Sequence, residues 1–191
     1  MKNVVCFIRH GQTNVNNLKK IQGRCDNLLN DTGRKQAKQT GLFLKNNNIT
    51  FDLIYSSPLT RAYETACIIK ECINYQGEII KDEAFIERDF GDAEGMPITT
   101  EIFEYIIRDD VNNLEKSFDI QKRVSDGVLK VCKQNPGKRI LIVAHSHTIK
   151  ALLTHLDKNR TFLDSLFNCS MSYFEVENNT IKIDKVNIIP E

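Results

Sequence analysis

Arg9, His10 and Gly11 stand directly after the apolar run Val4 to Ile8, and His145, Ser146 and His147 directly after a second run, Arg139 to Ala144. An imidazole can act as a nucleophile, a guanidinium stays charged at any working pH and donates a planar fork to phosphate, and glycine lets a backbone approach a ligand closely. Together these groups suit phosphoryl transfer, which asks a protein for positioning and for fixed cations around three equatorial oxygens. Arg9, Arg61 and His145 can supply the cations. Each position also has a plainer reading. An Arg-His-Gly can simply turn a chain, Arg61 can lie on a helix surface beside Glu64 and Thr65, and Glu87 can be a solvated carboxylate. His147 can pack or cap a helix start, and His155, near a helix end, reads as structural.

Groups of this kind act together only if strands end beside one another. The β-branched and aromatic run Val4 to Ile8 predicts a buried strand, Leu53 to Tyr55 a second, Ile79 to Ile80 a third and Arg139 to Ala144 the clearest of all. Between them, Asp31 or Thr32 is expected to cap a helix with Ala37, Gly41 and Leu44 on its inner face. Pro58 is expected at the first position of a helix carrying Ala62, Ala66, Ile69 and Ile73, with Arg61 in its first turn. IERDFGDAEGMP reads as a loop, Thr99 to Arg108 and Ile120 to Gln134 as helices, and a further helix runs from the second histidine segment through Leu156. Ser172 to Val176 and Ile181 to Val186 flank Asn178-Asn179, a hairpin on a sheet edge. Strand and helix alternate, which predicts an α/β fold: a three-layer α/β/α sandwich, mainly parallel with an antiparallel edge strand. Ligands of such sheets bind beyond the carboxyl ends of strands, where both histidine segments fall.

The bulk properties narrow the partners. A chain of 191 residues fits one domain, expected to span 1–191 with a short helical lid around 96–117. Twenty-six basic and 25 acidic residues give a net charge of +1, which argues against nucleic acid and anionic membranes as partners. The start, MKNVVCFIRHG, lacks a long apolar signal region, and the expectation is a cytoplasmic protein. Six scattered cysteines without a C-x-x-C pair, and no carboxylate cluster at ligand spacing, lead to no expected metal or cofactor. Oligomeric state is not legible. The acidic Glu101, Glu104, Asp109 and Asp110 of the lid are expected to disfavour highly anionic substrates.

FIRHGQTNVN, SSPLTRAYETA, IERDFGDAEG and ILIVAHSHTIKAL, in that order, resemble the histidine phosphatase, or phosphoglycerate mutase-like, superfamily over most of the chain. The resemblance implies His10 as phosphate acceptor, Arg9, Arg61 and His145 as phosphate pocket, and Glu87 as proton donor and later base. It implies Thr13, Asn16, Gln22, Gly23 and Arg88 near a small phosphorylated substrate, with donors from Gly11, Ser146 and His147. Two positions depart from the pattern: Ser146 stands where the family usually has glycine, and Ala93 where its phosphatases often carry Trp. The short stretch from Gly95 to His145, without an Arg-Arg pair, favours a phosphomonoesterase. The Glu87-Arg88 pair keeps a mutase open as the alternative, and a non-catalytic phosphate-binding module is the third reading.

Overall fold

The computed structural model describes residues 1–190. The elements run β1 (Asn3–Arg9), α1 (Asn14–Asn17), α2 (Asp31–Asn46), β2 (Leu53–Ser56), α3 (Thr60–Cys72), β3 (Ile79–Lys81), α4 (Thr100–Ile107), α5 (Ser117–Gln134), β4 (Arg139–Ala144), α6 (Ser146–Leu156), β5 (Met171–Glu177) and β6 (Thr180–Ile188). Among the described residues, no helix is long and apolar enough to cross a membrane.

All six strands form one sheet in the order β3-β2-β4-β1-β5-β6. The first four are parallel, β5 runs antiparallel to β1, and β6 runs antiparallel to β5. Central strands buried on both faces need apolar residues at every position, and β1 and β4 supply them. Val5, Phe7, Ile140, Ile142 and Ala144 face α5 and α6, while Cys6, Ile8, Leu141 and Val143 face α2 and α3. On the first face the Phe7 ring meets Phe85 and Phe174 edge-on at 5.8 and 5.7 Å. The expected three-layer sandwich is therefore the observed one.

This order makes a switch point. β1 is followed by α2 on one face of the sheet, its neighbour β4 by α6 on the other, so a crevice opens between their carboxyl ends. Register decides what lines it. Arg9 pairs with Ala144, and the His10 amide continues the ladder to the Ala144 carbonyl at 2.9 Å. On the other side of β4, the Ser57 amide bonds the Val143 carbonyl at 2.9 Å. His10, His145 and Ser57 thus end three adjacent strands.

Two caps differ from expectation. α2 is capped by Asn30, whose side chain accepts from the Gly33 amide at 2.8 Å, rather than by Asp31 or Thr32. Asn30 holds the cap because its own amide and side-chain nitrogen also bond Gln12, which ties the helix start to the His10 loop. α3 begins at Thr60 rather than Pro58, because Ser57 is still in the sheet and Leu59 is extended. Asp26 caps it from a distant loop, accepting from the Thr60 amide and hydroxyl. The hairpin is as expected: Asn178 and Asn179 both take positive φ, 50° and 59°, the type I′ geometry.

Gly11 and Gly33 meet where α2 begins. A Cβ on Gly33 would lie 2.1 Å from the Gln12 carbonyl oxygen, and one on Gly11 would lie 2.4 Å from the Gly33 oxygen. Helix propensity alone would favour Gly33→Ala by up to about 1 kcal/mol. Overpacking opposes it, and we expect Gly33→Ala to lose about 1–3 kcal/mol in urea unfolding. A gain in stability would show that the backbone contact relaxes freely.

Candidate active site

His10 leaves β1 with its ring buried. Its Nδ1 lies 2.7 Å from the Gly11 carbonyl oxygen, which can only accept, so Nδ1 carries a proton and Nε2 keeps a free lone pair. Burial, with Arg61 and Arg9 nearby, pushes the imidazole well below its ordinary value, so it is neutral at pH 7. The loop itself is pinned: the Gly11 amide donates to Thr65 Oγ1 at 3.1 Å, and Asn168 Nδ2 donates to the His10 carbonyl at 2.9 Å. The His145 ring stands 5.1 Å from that of His10, edge-on, with its Nε2 2.7 Å from Ser57 Oγ. Burial, then Arg61, His10 and Arg9, keep it well below its ordinary value too.

The cations are held by backbone oxygens. Arg9 donates to the Leu166 carbonyl, and Arg61, fully buried in α3, donates to the Cys25 and Gly23 carbonyls at 2.9 and 2.7 Å. Burial pushes the Arg61 guanidinium down to about 10, against the pull of Glu87, Asp26 and Glu94, so it stays charged at pH 7. Arg9 Nε, Arg61 Nε, His145 Nδ1 and Gln22 Nε2 are buried without a protein partner. Buried polar atoms without partners are costly, and two of these residues, Arg9 and Gln22, share a cavity wall with His10.

Glu87 is placed by a helix start. Its Oε1 accepts from the Arg88 and Thr148 amides at 2.9 and 3.1 Å, and its Oε2 accepts from the His147 amide at 3.3 Å. α6 has no side-chain cap of its own, so Glu87 fills that role from the far side of the chain. Asp89 is tied elsewhere, accepting from the Gly91 amide. Glu94 accepts from the Gly23 and Cys25 amides and so shapes the loop that Arg61 also holds.

A cavity of about 100 Å³ opens at His10, and Arg9, Asn16, Gln22, Glu87, Ser146 and His147 line it as well. Gln22 Oε1 accepts from Thr13 Oγ1 and Asn16 Nδ2, which fixes the amide with its Nε2 as the free donor. Six sequence-derived site residues are not on the cavity wall: Gly11, next to His10 in the chain, His145, whose ring stands against that of His10, Arg61, which acts on His10 by charge, and Thr13, Gly23 and Arg88. Thr13 is buried as the cap of α1, and Gly23 supports Arg61 through its carbonyl. Arg88 is fully buried and bonded to Asp109 and the Glu115 carbonyl, where it ties the segment 96–117 to the loop that carries Glu87. The acidic residues of that segment are not on the cavity wall either; α4 is amphipathic and turns Phe103 and Ile106 inward, Glu101 and Glu104 outward. The expected acidic bias is therefore absent from the cavity. Sequence reasoning missed Ser57, Thr65, Thr148 and Asn168, which act on the site through contacts far apart in sequence. It also missed Lys150, which lines the cavity one helical turn beyond Ser146.

The sequence profile of the histidine phosphatase superfamily (branch 1) matches residues 5–189, and the chain belongs to that superfamily. It is 39% identical over 187 residues to the uncharacterized phosphatase PhoE of Bacillus subtilis (strain 168), covering 96% of this chain and 94% of the relative. It is 32% identical over 173 residues to the 2,3-bisphosphoglycerate-dependent phosphoglycerate mutase of Parvibaculum lavamentivorans, covering 83% and 81%. A mutant phosphoserine phosphatase from Entamoeba histolytica, solved in complex with phosphoserine, superposes with a TM-score of 0.82 at 28% identity over 97% of this chain and 96% of that one. The relatives' names divide between phosphatase and mutase.

The buried histidines make stability depend on pH. His10, His145 and His147 all resist protonation in the folded chain, chiefly through burial, whereas the unfolded chain takes up protons near the ordinary imidazole value of about 6.5. Below that value the unfolded state binds more protons, so stability is complete above about pH 7 and is lost as pH falls, by up to about 1.4 kcal/mol per unit for each ring. Urea unfolding at about pH 7.5, 6.5 and 5.5 should show this decline, and His147→Phe should make it shallower by about one proton. A flat profile would mean that the rings ionise while folded.

Proposed function

We propose that the chain is a phosphomonoesterase that hydrolyses a small phosphorylated metabolite through a phosphohistidine on His10. The observation that carries this reading is the neutral His10 ring, its Nε2 lone pair free, beside buried guanidinium donors that lack partners. Nε2 attacks phosphorus, the P–O bond to the leaving group breaks, and Glu87 gives the leaving oxygen a proton. Glu87 then takes a proton from water as water attacks the phosphohistidine, and His10 is released. Arg9, Arg61 and His145 hold the transferring oxygens. The segment 96–117 acts as the lid of a single domain, and Asn16, Gln22, Ser146 and His147 meet the rest of the substrate. No metal takes part in this scheme.

The mutase alternative draws on the Parvibaculum relative and on the Glu87-Arg88 pair. Arg88 favours hydrolysis instead, because its guanidinium is turned away from the cavity and committed to Asp109. A merely phosphate-binding module would keep Glu87 only as the cap of α6, and turnover of p-nitrophenyl phosphate by the purified protein separates the two readings.

Rapid quench with labelled substrate should trap an acid-labile phosphoryl group on His10, and His10→Ala should abolish both label and turnover. Label on another residue with turnover intact would sink the nucleophile assignment. Glu87→Gln should slow alkyl esters by about 10²- to 10⁴-fold, because an alkoxide needs its proton as it leaves. p-Nitrophenyl phosphate, whose leaving group is a weak base, should lose far less. Equal losses on the two would remove Glu87 from the acid role.

A further inference from the structure

Lys150 carries a charge that the reaction above does not use. It lies on α6, four residues after Ser146 and three after His147, so one helix face presents all three to the cavity. Its side chain is nearly buried, at 8% exposure. Nζ donates to the Phe162 carbonyl at 2.9 Å, which leaves two of its three donors unused, and no carboxylate pairs with it among the described residues. A buried ammonium without a counter-charge is costly to keep.

The rest of the wall says which ligand would repay it. Ile21, Phe90, Ile98, Phe103 and Ile106 are apolar, Lys20 is a second ammonium but is exposed to solvent, and Glu87, held by the amides of α6, is the one carboxylate on the wall. Nothing else there suits a substrate ammonium. We infer that Lys150 is a specificity-determining contact that receives a second anionic group, a carboxylate, carried by the phosphate ester bound at His10. This inference rests on the phosphate-ester reading of the His10 centre.

Burial and the charge of Arg9 on β1 push the Lys150 amine down to about 8, partly offset by Glu87 at the start of α6 and by Asp164 in the loop after it. His147, its neighbour on the same helix, is neutral. The contact should therefore weaken as pH rises through about 8.

The test compares 2-phosphoglycolate with glycerol 3-phosphate in wild type, Lys150→Met and Lys150→Arg. Wild type should prefer the carboxylated ester, and Lys150→Met should reduce the ratio of the two kcat/KM values by about 10- to 100-fold, chiefly through KM, the size of a charge-assisted hydrogen bond. Lys150→Arg should restore part of it. In wild type, KM for 2-phosphoglycolate should rise above pH 8 while that for glycerol 3-phosphate does not, a readout that needs no variant. An unchanged ratio, or no carboxylate preference in wild type, would overturn the inference. Calorimetric binding of both esters to His10→Ala separates this from the reaction itself. A carboxylate preference in binding with no turnover of any ester would retire the hydrolase and keep Lys150. Turnover without preference would retire Lys150 alone.

Discussion

The parallel pairing of β1 with β4 is the constraint on which the rest depends. Arg9 opposite Ala144 brings His10 and His145 to the same level, and a slip of one residue would turn every side chain of β1 to the other face of the sheet. Phe7 would leave its two aromatic neighbours and Cys6 and Ile8 would lose the α2–α3 layer. The packing of both cores therefore holds the two histidines together, and neither ring needs a bond to the other to stay in place.

Around them the protein solves an electrostatic problem in an unusual currency of contacts. Arg9, Arg61 and Lys150 all bond main-chain carbonyls, those of Leu166, Gly23, Cys25 and Phe162. A carbonyl satisfies a donor without cancelling its charge, as a carboxylate would. The positive potential thus survives burial and stays available to an anion, and the low polarity of the surroundings strengthens it. The same potential, with burial, is what keeps the three neighbouring imidazoles neutral.

Much of this was legible in the sequence, for identifiable reasons. Val4 to Ile8 and Ile140 to Ala144 are apolar at every position, and only a strand buried on both faces needs that. Asn178-Asn179 tolerates positive φ, which the hairpin requires. What could not be read were contacts between distant segments. Asp26 caps α3 across 34 positions, and Glu87 caps α6 across about sixty. Pro58 and Asp31 misled because local capping rules assume a local partner. The acidic residues of 96–117 misled because composition does not say which side of a helix they occupy, although the spacing of Phe103 and Ile106 against Glu101 and Glu104 held that information.

The anchoring of Glu87 by α6 separates two parts of the molecule that the chain joins end to end. Glu87 takes its position from amides of a helix that begins beside His145, and Arg88 behind it is clamped by Asp109 and Glu115. The stretch from Asp89 to Arg108, which brings Phe90, Ile98, Phe103 and Ile106 to the cavity, thus leaves from and returns to fixed posts. Its outer part, Thr99 to Arg108, is a cassette: its length and composition can change, by evolution or by grafting, while Glu94 keeps the loop that holds Arg61 and the reacting groups keep their places.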